Sequence, residues 1–509
     1  MNKLLIFGML AAALPGAEKQ SPFESRIDFV PQGRIDELVS AQWKRLAIQP
    51  PRLCSDAVYV RRAYLDATGT LPTAEETSAF LADSSPSKRA ALIDKLLERE
   101  EFAGYWAMKW SDLLRIKAEF PINLWPNAAQ AYYNWLRSAL REGKPYDQFA
   151  RELLTASGSN FRSAPANFYR AMQNKEPGGI AETVALTFLG SRFDKWPAGR
   201  QAGMAAFFSQ VGYKETGEWK EEIVFFDPAR KAGAPVFPDG TPARIAPGQD
   251  PRQVFAEWLV SPRNGAFSAA IVNRIWYWLL GRGIVQEPDD LRADNPPENP
   301  ELLAFLQREL VASHYDLKHI YRLILNSGVW QLSSIAPSDA HFAAYPLRRL
   351  DAEVLIDAID QITGTSETYT SSIPEPYTFM PDFQRAIALP DGSIGSSFLE
   401  EFGRPPRDTG LESERNNRIT DAQRLHMLNS SHVQRKIQQS PKLQAMMRDI
   451  RNPQELVKQI YLTILSRPPS EEEWKLVAAH SQNGNVRGQA AVVDLVWALF
   501  NSTEFLYRH

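Results

Sequence analysis

The sequence predicts a mainly α protein, built from two helical domains with minor short β pieces. Apolar residues recur at helical spacing along most of the chain, segments of β type are few, and a proline-rich stretch separates two helical regions. Ile35, Leu38, Val39, Trp43 and Leu46, for example, fall on one face of a helix. With 44% hydrophobic residues, including 26 Phe and 13 Trp, the chain can bury a large core.

The first helical domain is predicted over residues 22–225. Its second clear amphipathic stripe consists of Leu92, Ile93, Leu96 and Leu97. Residues 223–226 (IVFF) predict one short strand that ends at Asp227 and Pro228. Residues 226–250 are the predicted linker, because six prolines, counted from Pro228 to Pro251 inclusive, prevent a continuous helix.

The second helical domain is predicted over residues 251–509. One of its helical stripes consists of Leu302, Leu303, Phe305, Leu306 and Leu310. Prolines interrupt residues 364–420, which also hold several aromatic side chains and a charged cluster. We expect this stretch to be a long ordered loop, since loops of this length inside a domain are usually functional when they are not disordered. Short β pieces are expected near residues 220–245 and 365–395.

A weak internal repeat links the two predicted domains. Tyr64 and Tyr461 are each followed eight residues later by a proline and then by a Thr or Ser with a Glu three positions on. That spacing is typical of a capping box at a helix N-terminus. The repeat predicts the same helix–turn–helix unit at both places, with an architectural role.

The N-terminus has the pattern of an export signal. Residues 1–3 carry a lysine, residues 4–14 are uncharged and largely apolar, and a small-residue segment follows up to Ala17. We therefore predict a signal peptide over residues 1–17 and a periplasmic or extracellular protein. The apolar run is too short to span a bilayer, and we expect no membrane span in the mature chain.

Charge and cysteine content exclude several classes of function. A net charge of -3 gives no basic field for nucleic acid. Cys54 is the single cysteine, so a c-type haem, which needs two thiols, and a multi-cysteine zinc or iron–sulfur site are both excluded. We expect no cofactor and no metal.

Two clusters in the second domain are the candidate ligand or partner site. The first surrounds an arginine and a tryptophan that could hold an anion and stack on a sugar face; it consists of Asn273, Arg274, Trp276, Asp289, Asp290 and Asn295. The alternative is structural: Arg274 is buried and paired with Asp289 or Asp290, and it braces the domain.

The second cluster lies in the long loop and consists of Arg404, Arg407, Glu414 and Arg415. Such dense charges indicate an ion-pair network or an anion-binding surface, and the prolines between the arginines fix the backbone in advance. We expect the loop to fold back on its own domain, so that both clusters meet across one cleft.

Other catalytic patterns are weak. His426 and His432 lie six residues apart, and His314 and His319 five apart, without an evident third ligand, so structural roles are predicted for them. The sequence has no nucleophile elbow and no phosphate-binding loop. Pairs of Asp and Glu suited to glycoside hydrolysis stay possible, since such partners need not be close in sequence.

The spaced motifs resemble a known family. Residues 61–72 (RRAYLDATGTLP), 106–115 (WAMKWSDLLR), 273–276 (NRIW), 281–285 (GRGIV) and 402–407 (FGRPPR) are similar to planctomycete-type cytochrome-associated proteins of unknown function. These proteins pair two domains of unknown function, numbers fifteen-forty-nine and fifteen-fifty-three. The second is also called the planctomycete-specific domain. The resemblance spans nearly the whole mature chain.

The resemblance also shows two departures. Relatives often carry a Cys-x-x-Cys-His haem run near Gly190, where this chain has Ser191 and Arg192. Many carry Cys-x-Cys before the pair Glu414 and Arg415, at positions that are Leu411 and Ser413 here. The chain thus resembles a variant without the haem motif.

Three functions follow as expectations. The first is an exported, non-catalytic binding or scaffold protein that supports polysaccharide utilisation. Its partner would be an anionic polysaccharide or a co-encoded sulfatase-like or phosphatase-like protein, as the family resemblance implies. The alternative is a hydrolase of sulfated or uronic polysaccharides, in which loop arginines hold the anion. A redox role would need a non-covalent haem with an axial histidine.

Overall fold

Helices dominate the computed structural model, which describes residues 21–336, 338–380, 382–483 and 487–509. The mainly α fold class is therefore confirmed, with short strands as the minor component. The predicted signal peptide, residues 1–17, lies outside the described residues. None of the helices in the described part of the chain is long and apolar enough to cross a membrane.

The first half of the chain forms helices α1 to α10. Their bounds are α1 Arg34–Leu46, α2 Asp56–Thr68, α3 Ala74–Ala82, α4 Lys88–Leu97, α5 Glu100–Leu113, α6 Pro126–Arg141, α7 Tyr146–Thr155, α8 Asn167–Arg170, α9 Pro177–Leu189 and α10 Ala198–Ala205. The stripe predicted from Ile35 to Leu46 faces the core in α1 as far as Trp43, and these side chains are buried. Leu46 was wrongly included, because it is the last residue of α1 and is 48% exposed.

The second half begins at Pro251, directly after the proline-rich stretch. Its helices are α11 Pro251–Leu259, α12 Gly265–Leu280, α13 Pro300–Ala312, α14 Leu317–Leu325, α15 Ala352–Thr363, α16 Ser397–Glu401, α17 Asp421–Asn429, α18 Ser431–Gln438, α19 Pro441–Asp449, α20 Pro453–Leu465, α21 Glu471–Asn483, α22 Gln489–Phe500 and α23 Thr503–Leu506. Pro251 at the first turn of α11 suits a position where the backbone N–H has no helical partner.

Within the described residues, two small antiparallel sheets complete the fold. Strands β1 Gly158–Ser159, β2 Val211–Glu215 and β3 Glu222–Phe226 form a sheet in the order β1-β3-β2. Strand β3 confirms the strand predicted at residues 223–226. Strands β4 Arg348–Arg349 and β5 Tyr507–Arg508 pair elsewhere. In the predicted β region 365–395, the described residues form an isolated bridge between Thr370 and Gly395.

The core is continuous between the two halves of the chain. Trp106 on α5 packs against Tyr321 on α14 and Trp278 on α12, with ring centroids 4.3 and 5.5 Å apart. All three rings belong to one cluster of buried apolar residues that extends from Ile35 to Phe505. Helices on both sides of the proline-rich stretch are thus joined by buried apolar contacts.

The predicted repeat is present as two matching helix caps. The Thr73 hydroxyl accepts the backbone N–H of Glu76, and the Glu76 carboxylate accepts the N–H of Thr73 at 3.0 Å. Ser470 and Glu473 exchange the equivalent bonds at 3.2 and 2.7 Å. Both predicted capping boxes are therefore confirmed.

Each capping glutamate also binds an arginine that holds a second glutamate. Arg99 lies 2.8 Å from Glu76 and 3.4 Å from Glu101. Arg467 lies 2.7 Å from both Glu473 and Glu504. The two arginines occupy different positions in the two copies of the repeat. Both copies thus contain an arginine bound to two glutamates, but the arginine comes from a different part of each copy.

Two buried arginines of α2 fix the C-terminal segment. Arg61 donates to the carbonyl of Ile464 at 2.7 Å and to that of Phe505 at 3.1 Å. Arg62 donates to the carbonyls of His509 at 2.9 Å and Trp330 at 2.6 Å. Burial lowers the pKa of Arg61 to about 10. Both guanidinium groups therefore satisfy carbonyls that helix or strand ends leave open.

Candidate ligand site

Arg274 of the first predicted cluster is buried inside the fold. Its side chain is fully buried and lies 2.7 Å from Asp289. It also donates to the carbonyls of Thr187 at 3.0 Å and Leu186 at 3.2 Å, at the C-terminal end of α9. Cations stabilise that end of a helix, where carbonyls lack helical partners. This geometry is that of the structural alternative, in which Arg274 braces the domain.

Asn273 and Trp276 are buried beside Arg274. The Asn273 amide bonds both backbone groups of Val285, at 3.0 and 2.9 Å, and so holds the turn after α12. The Trp276 ring packs edge-on against Phe342 at 5.2 Å. Because the indole is fully buried, it offers no face on which a sugar could stack.

Asp290 and Asn295 hold the loop that follows. Asp290 pairs with Arg292 at 2.7 Å. The Asn295 side chain donates to the carbonyls of Gln286 and Asp290 at 2.7 and 2.9 Å. Both residues thus bind neighbours within their own loop.

Asp289 joins the first cluster to the long loop. Its second carboxylate oxygen accepts the backbone N–H of Glu412 at 2.7 Å. The Glu412 carboxylate in turn accepts the indole N–H of Trp278 at 2.9 Å. The loop therefore folds back on its own domain and meets the first cluster through polar bonds at Asp289.

The arginines of the second cluster are buried ion-pair partners. Arg415 forms two bonds to Glu353, at 2.7 and 3.0 Å, and lies 2.7 Å from Asp112. Arg407 lies 3.0 Å from Asp112, and Arg404 lies 3.6 Å from Glu353. Their side chains are at most 5% exposed. An anionic ligand would have to displace these carboxylates to reach the guanidinium groups.

The electrostatics of this network follow from burial and pairing. Burial lowers the pKa of Arg404 to about 10. Burial acts in the same direction on Arg415, but the carboxylates of Asp112 and Glu353 raise its pKa well above the usual value. The Glu414 carboxylate accepts the backbone N–H of Thr409 at 2.7 Å. The charges of the three arginines are therefore compensated by protein carboxylates.

The turn at Gly190, where relatives carry the haem run, is a packed turn in this chain. Gly190 ends α9 with φ of +55°, and its carbonyl accepts the N–H of Leu291 at 2.8 Å. A Cβ at this position would lie 3.0 Å from the carbonyl oxygen of Pro288. Ser191 is buried and accepts the indole N–H of Trp196 at 2.9 Å.

A surface cluster of three aromatic rings, which the sequence did not single out, forms the aromatic platform: Trp125, Trp219 and Tyr377. The ring centroids lie 4.7 Å apart for the two tryptophans and 5.5 Å apart for each tryptophan and the tyrosine. Trp219 is 60% and Tyr377 46% exposed. Large aromatic rings in contact with one another and with water are typical of binding surfaces.

Lys220 adds a positive charge to the aromatic platform. Its ammonium group lies 5.3 Å from the Trp125 ring and 5.7 Å from the Trp219 ring. The side chain is exposed, and within the described part of the chain it has no carboxylate partner within 4 Å. The platform thus joins apolar ring surface to a cation that is free to bind an anion.

Three loops position the platform. The loop before α6 carries Trp125, whose backbone φ is +72°. The β2–β3 turn carries Trp219, and the long loop carries Tyr377. Arg170 links the first two, because it donates to the Leu124 carbonyl at 3.2 Å and to the Glu222 carboxylate at 2.8 Å.

Glu119 links the remaining loop. Its carboxylate accepts the backbone N–H of Ser372 at 2.9 Å and the hydroxyl of Ser371 at 3.2 Å. A left-handed backbone at a residue such as Trp125 is unfavourable and persists where the surroundings fix it, which is common at functional positions. These bonds connect the three loops that carry the rings.

A polar cleft of about 360 Å³ lies between the two halves of the chain. The first half lines it with Glu76, Arg99 and Glu101, and the second half with Asp357, Asp360, Arg385 and Phe383. Burial raises the pKa of Asp357 to about 6. Asp360 pairs with Lys436 at 2.7 Å. The cleft therefore places carboxyl groups in different environments, as acid–base chemistry requires.

Sequence reasoning could have found part of these surfaces. Trp219 stands between Glu218 and Lys220 in a turn joining two strands, where small polar residues are usual. Asp357 and Asp360 are three apart on α15 and so share one helix face. Their partners come from distant loops, and no local pattern indicates that convergence.

Metal ligands were not predicted. In the ranges that the structure describes, no three His, Cys, Asp or Glu side chains surround one metal position. His319 binds Glu309 at 3.0 Å, and the free thiol of Cys54 is buried.

Comparison with known proteins identifies both halves of the chain. Residues 34–212 match the PSCyt2 protein of unknown function (DUF1549), and residues 251–481 match the PSD1 protein of unknown function (DUF1553). Neither a curated protein nor a solved structure matches the chain. With two domain matches that together cover most of its length and a single cysteine, the chain belongs to the proteins that pair a PSCyt2 domain with a PSD1 domain, in a form without the haem motif.

Proposed function

We propose that this protein is an exported, non-catalytic binding or scaffold protein that holds an anionic polysaccharide on its aromatic platform. The observation that carries the proposal is the contact of Trp125, Trp219 and Tyr377 at the surface, with the Lys220 ammonium beside the indoles. Sugar rings present flat C–H faces to aromatic rings, and sulfate or carboxylate groups pair with a lysine.

The proposal moves the ligand site away from the arginine clusters. Arg274, Arg407 and Arg415 are buried and bound to protein carboxylates. A polymer needs exposed groups that it can contact, and Trp219 and Tyr377 of the platform are 60% and 46% exposed. A sulfatase-like or phosphatase-like partner would then act on the polysaccharide that this protein holds.

Glycan binding by the purified mature protein tests this function. Calorimetric titration would use a sulfated galactan, a polyuronate and an uncharged glucan. We expect the two anionic glycans to bind, with affinity that falls as salt increases, since salt screens exposed charges. Trp219→Ala should weaken binding about 30-fold, equivalent to about 2 kcal/mol for a central aromatic contact.

Leu476→Ala is the control, because Leu476 on α21 is 64% exposed and belongs to neither the aromatic platform nor the polar cleft. It should bind the glycans like the unmodified protein. Equal affinity of Trp219→Ala and the unmodified protein would contradict the assigned site. Absence of binding to all anionic glycans would contradict the function.

Hydrolysis of sulfated or uronic polysaccharides is a second candidate, supported by the polar cleft. Asp357, with its raised pKa, would serve as the general acid, and Arg385, whose side chain is 38% exposed, would hold the anionic groups. Product release from the same glycans, abolished by Asp357→Asn and kept in Trp219→Ala, would favour the enzyme. Binding without any product favours the scaffold.

A further inference from the structure

Two histidines outside the platform and the cleft bring their ring nitrogens together. His426 on α17 and His432 on α18 place His426 Nε2 and His432 Nδ1 3.4 Å apart. The two rings are nearly perpendicular, with an interplanar angle of 84°. The short connection between α17 and α18, with Ser430 capping α18, fixes this approach.

Each ring binds a carboxylate through its other nitrogen. His426 Nδ1 lies 2.6 Å from a Glu401 carboxylate oxygen, and His432 Nε2 lies 2.8 Å from one of Glu367. A carboxylate accepts hydrogen bonds and does not donate them. The N–H of each neutral ring is therefore used at its carboxylate, and the two facing nitrogens both carry lone pairs.

Two lone pairs facing each other at this distance need a cation between them. A shared proton would meet that need, and so would a metal ion. Tetrahedral zinc, with Zn–N bonds of about 2.0–2.1 Å, places two ligand nitrogens about 3.3–3.4 Å apart. The observed separation of 3.4 Å agrees with that value.

The surroundings match those of metal-binding histidines. Such histidines usually donate their second N–H to a carboxylate, which fixes the ring and makes the free nitrogen more basic. Glu367 is further held by Lys436 at 3.2 Å.

Access and packing also suit an ion. Phe398 packs against both imidazoles, with centroids at 5.4 and 5.7 Å, and prevents the rings from turning away. The side chains of His426 and His432 are 15% and 27% exposed, so the pair is not sealed in the core. Two histidines supply half of a tetrahedral shell, and water or a ligand oxygen completes it.

We propose that His426 Nε2 and His432 Nδ1 bind a divalent transition metal ion of the zinc class, with Glu401 and Glu367 orienting the two rings. This site is independent of the proposed polysaccharide function, because it shares no residue with the aromatic platform. It adds a metal position to a chain whose single cysteine excludes the thiolate sites considered from the sequence.

Titration of the full mature chain with zinc chloride tests the proposal. The protein carries no histidine tag and is first treated with a chelator to remove bound metal. We expect one zinc ion per chain, a raised melting temperature and, with cobalt, the visible absorption of a tetrahedral site. His426→Ala and His432→Ala should each abolish this binding. Glu367→Gln should weaken it about tenfold or more, as expected for an orienting carboxylate.

His480→Ala is the matched control, since His480 also faces a carboxylate, Asp494, at 3.4 Å but is half exposed and distant in sequence from the pair. Zinc binding should be unchanged in this variant. If the alanine variants fail to fold, imidazole NMR signals of the unmodified protein supply the readout, because zinc should shift those of His426 and His432. Absence of zinc binding at millimolar concentration, or binding that persists in both alanine variants, would overturn the proposal in favour of a shared proton.

Discussion

Arg415 of the PSD1 half lies 2.7 Å from Asp112 of the PSCyt2 half, and both side chains are largely buried. Asp112 sits near the C-terminal end of α5, and Arg415 follows the proline-pinned segment of the long loop. The same guanidinium binds Glu353 at the start of α15. One cation thus binds two carboxylates from opposite halves of the chain and holds the loop on both.

Replacing this cation should be strongly destabilising. Arg415→Met would leave Asp112 and Glu353 buried with fewer partners, and breaking a buried pair costs about 3–5 kcal/mol. We expect urea unfolding to show a loss of that order. Arg424→Met is the control, because Arg424 and its partner Asp421 have side chains 65% and 91% exposed. The control should change the free energy of unfolding by less than about 0.5 kcal/mol; equal losses in both variants would contradict the assigned role of Arg415.

The C-terminal cap of α12 gives a second prediction. Gly281 has φ of +68°, and an added Cβ would lie 2.4 Å from Arg348 Cδ. Arg348 cannot easily move, because it donates to the carbonyls of Trp278 and Leu279 at 2.9 and 2.6 Å. Gly281→Ala should therefore cost about 1–3 kcal/mol for overpacking, beyond the backbone cost of about 1–2 kcal/mol.

Gly143→Ala separates the two costs. Gly143 has a similar φ of +66°, and nothing lies within 4 Å of the added Cβ. Thermal and urea unfolding of both variants should show the larger loss for Gly281→Ala. Equal losses would mean that Arg348 shifts without cost.

Asp357 predicts a pH dependence of stability. Its pKa is raised from 3.8 to about 6 in the folded protein, chiefly by burial. Between these values the unfolded chain loses the proton while the folded protein keeps it, so the contribution of this group to stability falls as pH rises from about 4 to 6. The change amounts to about 3 kcal/mol, at about 1.4 kcal/mol per unit of pKa.

Asp357→Asn should remove this dependence. The variant also loses the hydrogen bonds that Asp357 accepts from the backbone N–H groups of Ala386 and Ile387, which shifts the free energy of unfolding by an amount that does not vary with pH. The readout is therefore the slope of the free energy of unfolding against pH. Urea unfolding between pH 4 and 6.5 should show that the free energy of unfolding of Asp357→Asn increases, relative to that of the unmodified protein, as pH rises. A constant difference across this range would contradict the raised pKa.

The proline-rich stretch predicts how the protein responds to protease. Arg230 and Lys231 are exposed in this segment, and trypsin should cut there first. Because the buried core is continuous across the stretch, the two fragments should stay together. A gel under denaturing conditions should show two bands, and size-exclusion chromatography one peak. Separation of the fragments without denaturant would indicate two independently packed domains.

Local features of the fold were accessible from the sequence, because local interactions produce them. The capping boxes at Thr73 and Ser470 depend on residues three apart, and strand β3 depends on its own apolar run. Strands β4 and β5 could not be predicted, since each has two residues and exists only because Arg348 pairs opposite Arg508.

The candidate site shows the same division. The sequence allowed two interpretations of Arg274, as a ligand site or as a structural brace paired with Asp289. The burial of the Arg274 side chain distinguishes them, and it depends on contacts between α12 and α9 that no local pattern indicates. The aromatic platform combines three loops, and each ring taken alone resembles an ordinary surface or core residue. Convergence of distant segments is a property of tertiary packing.

The arginines of α2 have a consequence for the order in which the protein folds. Arg61 and Arg62 bind carbonyls of Phe505 and His509, separated from them by 444 and 447 residues. Helix α2 can form early, but its two buried cations find these acceptors only when residues 505–509 have arrived. Closing contacts of such long range is slow. The core around α2 therefore cannot be completed before residues 505–509 are available, however early the helix itself forms.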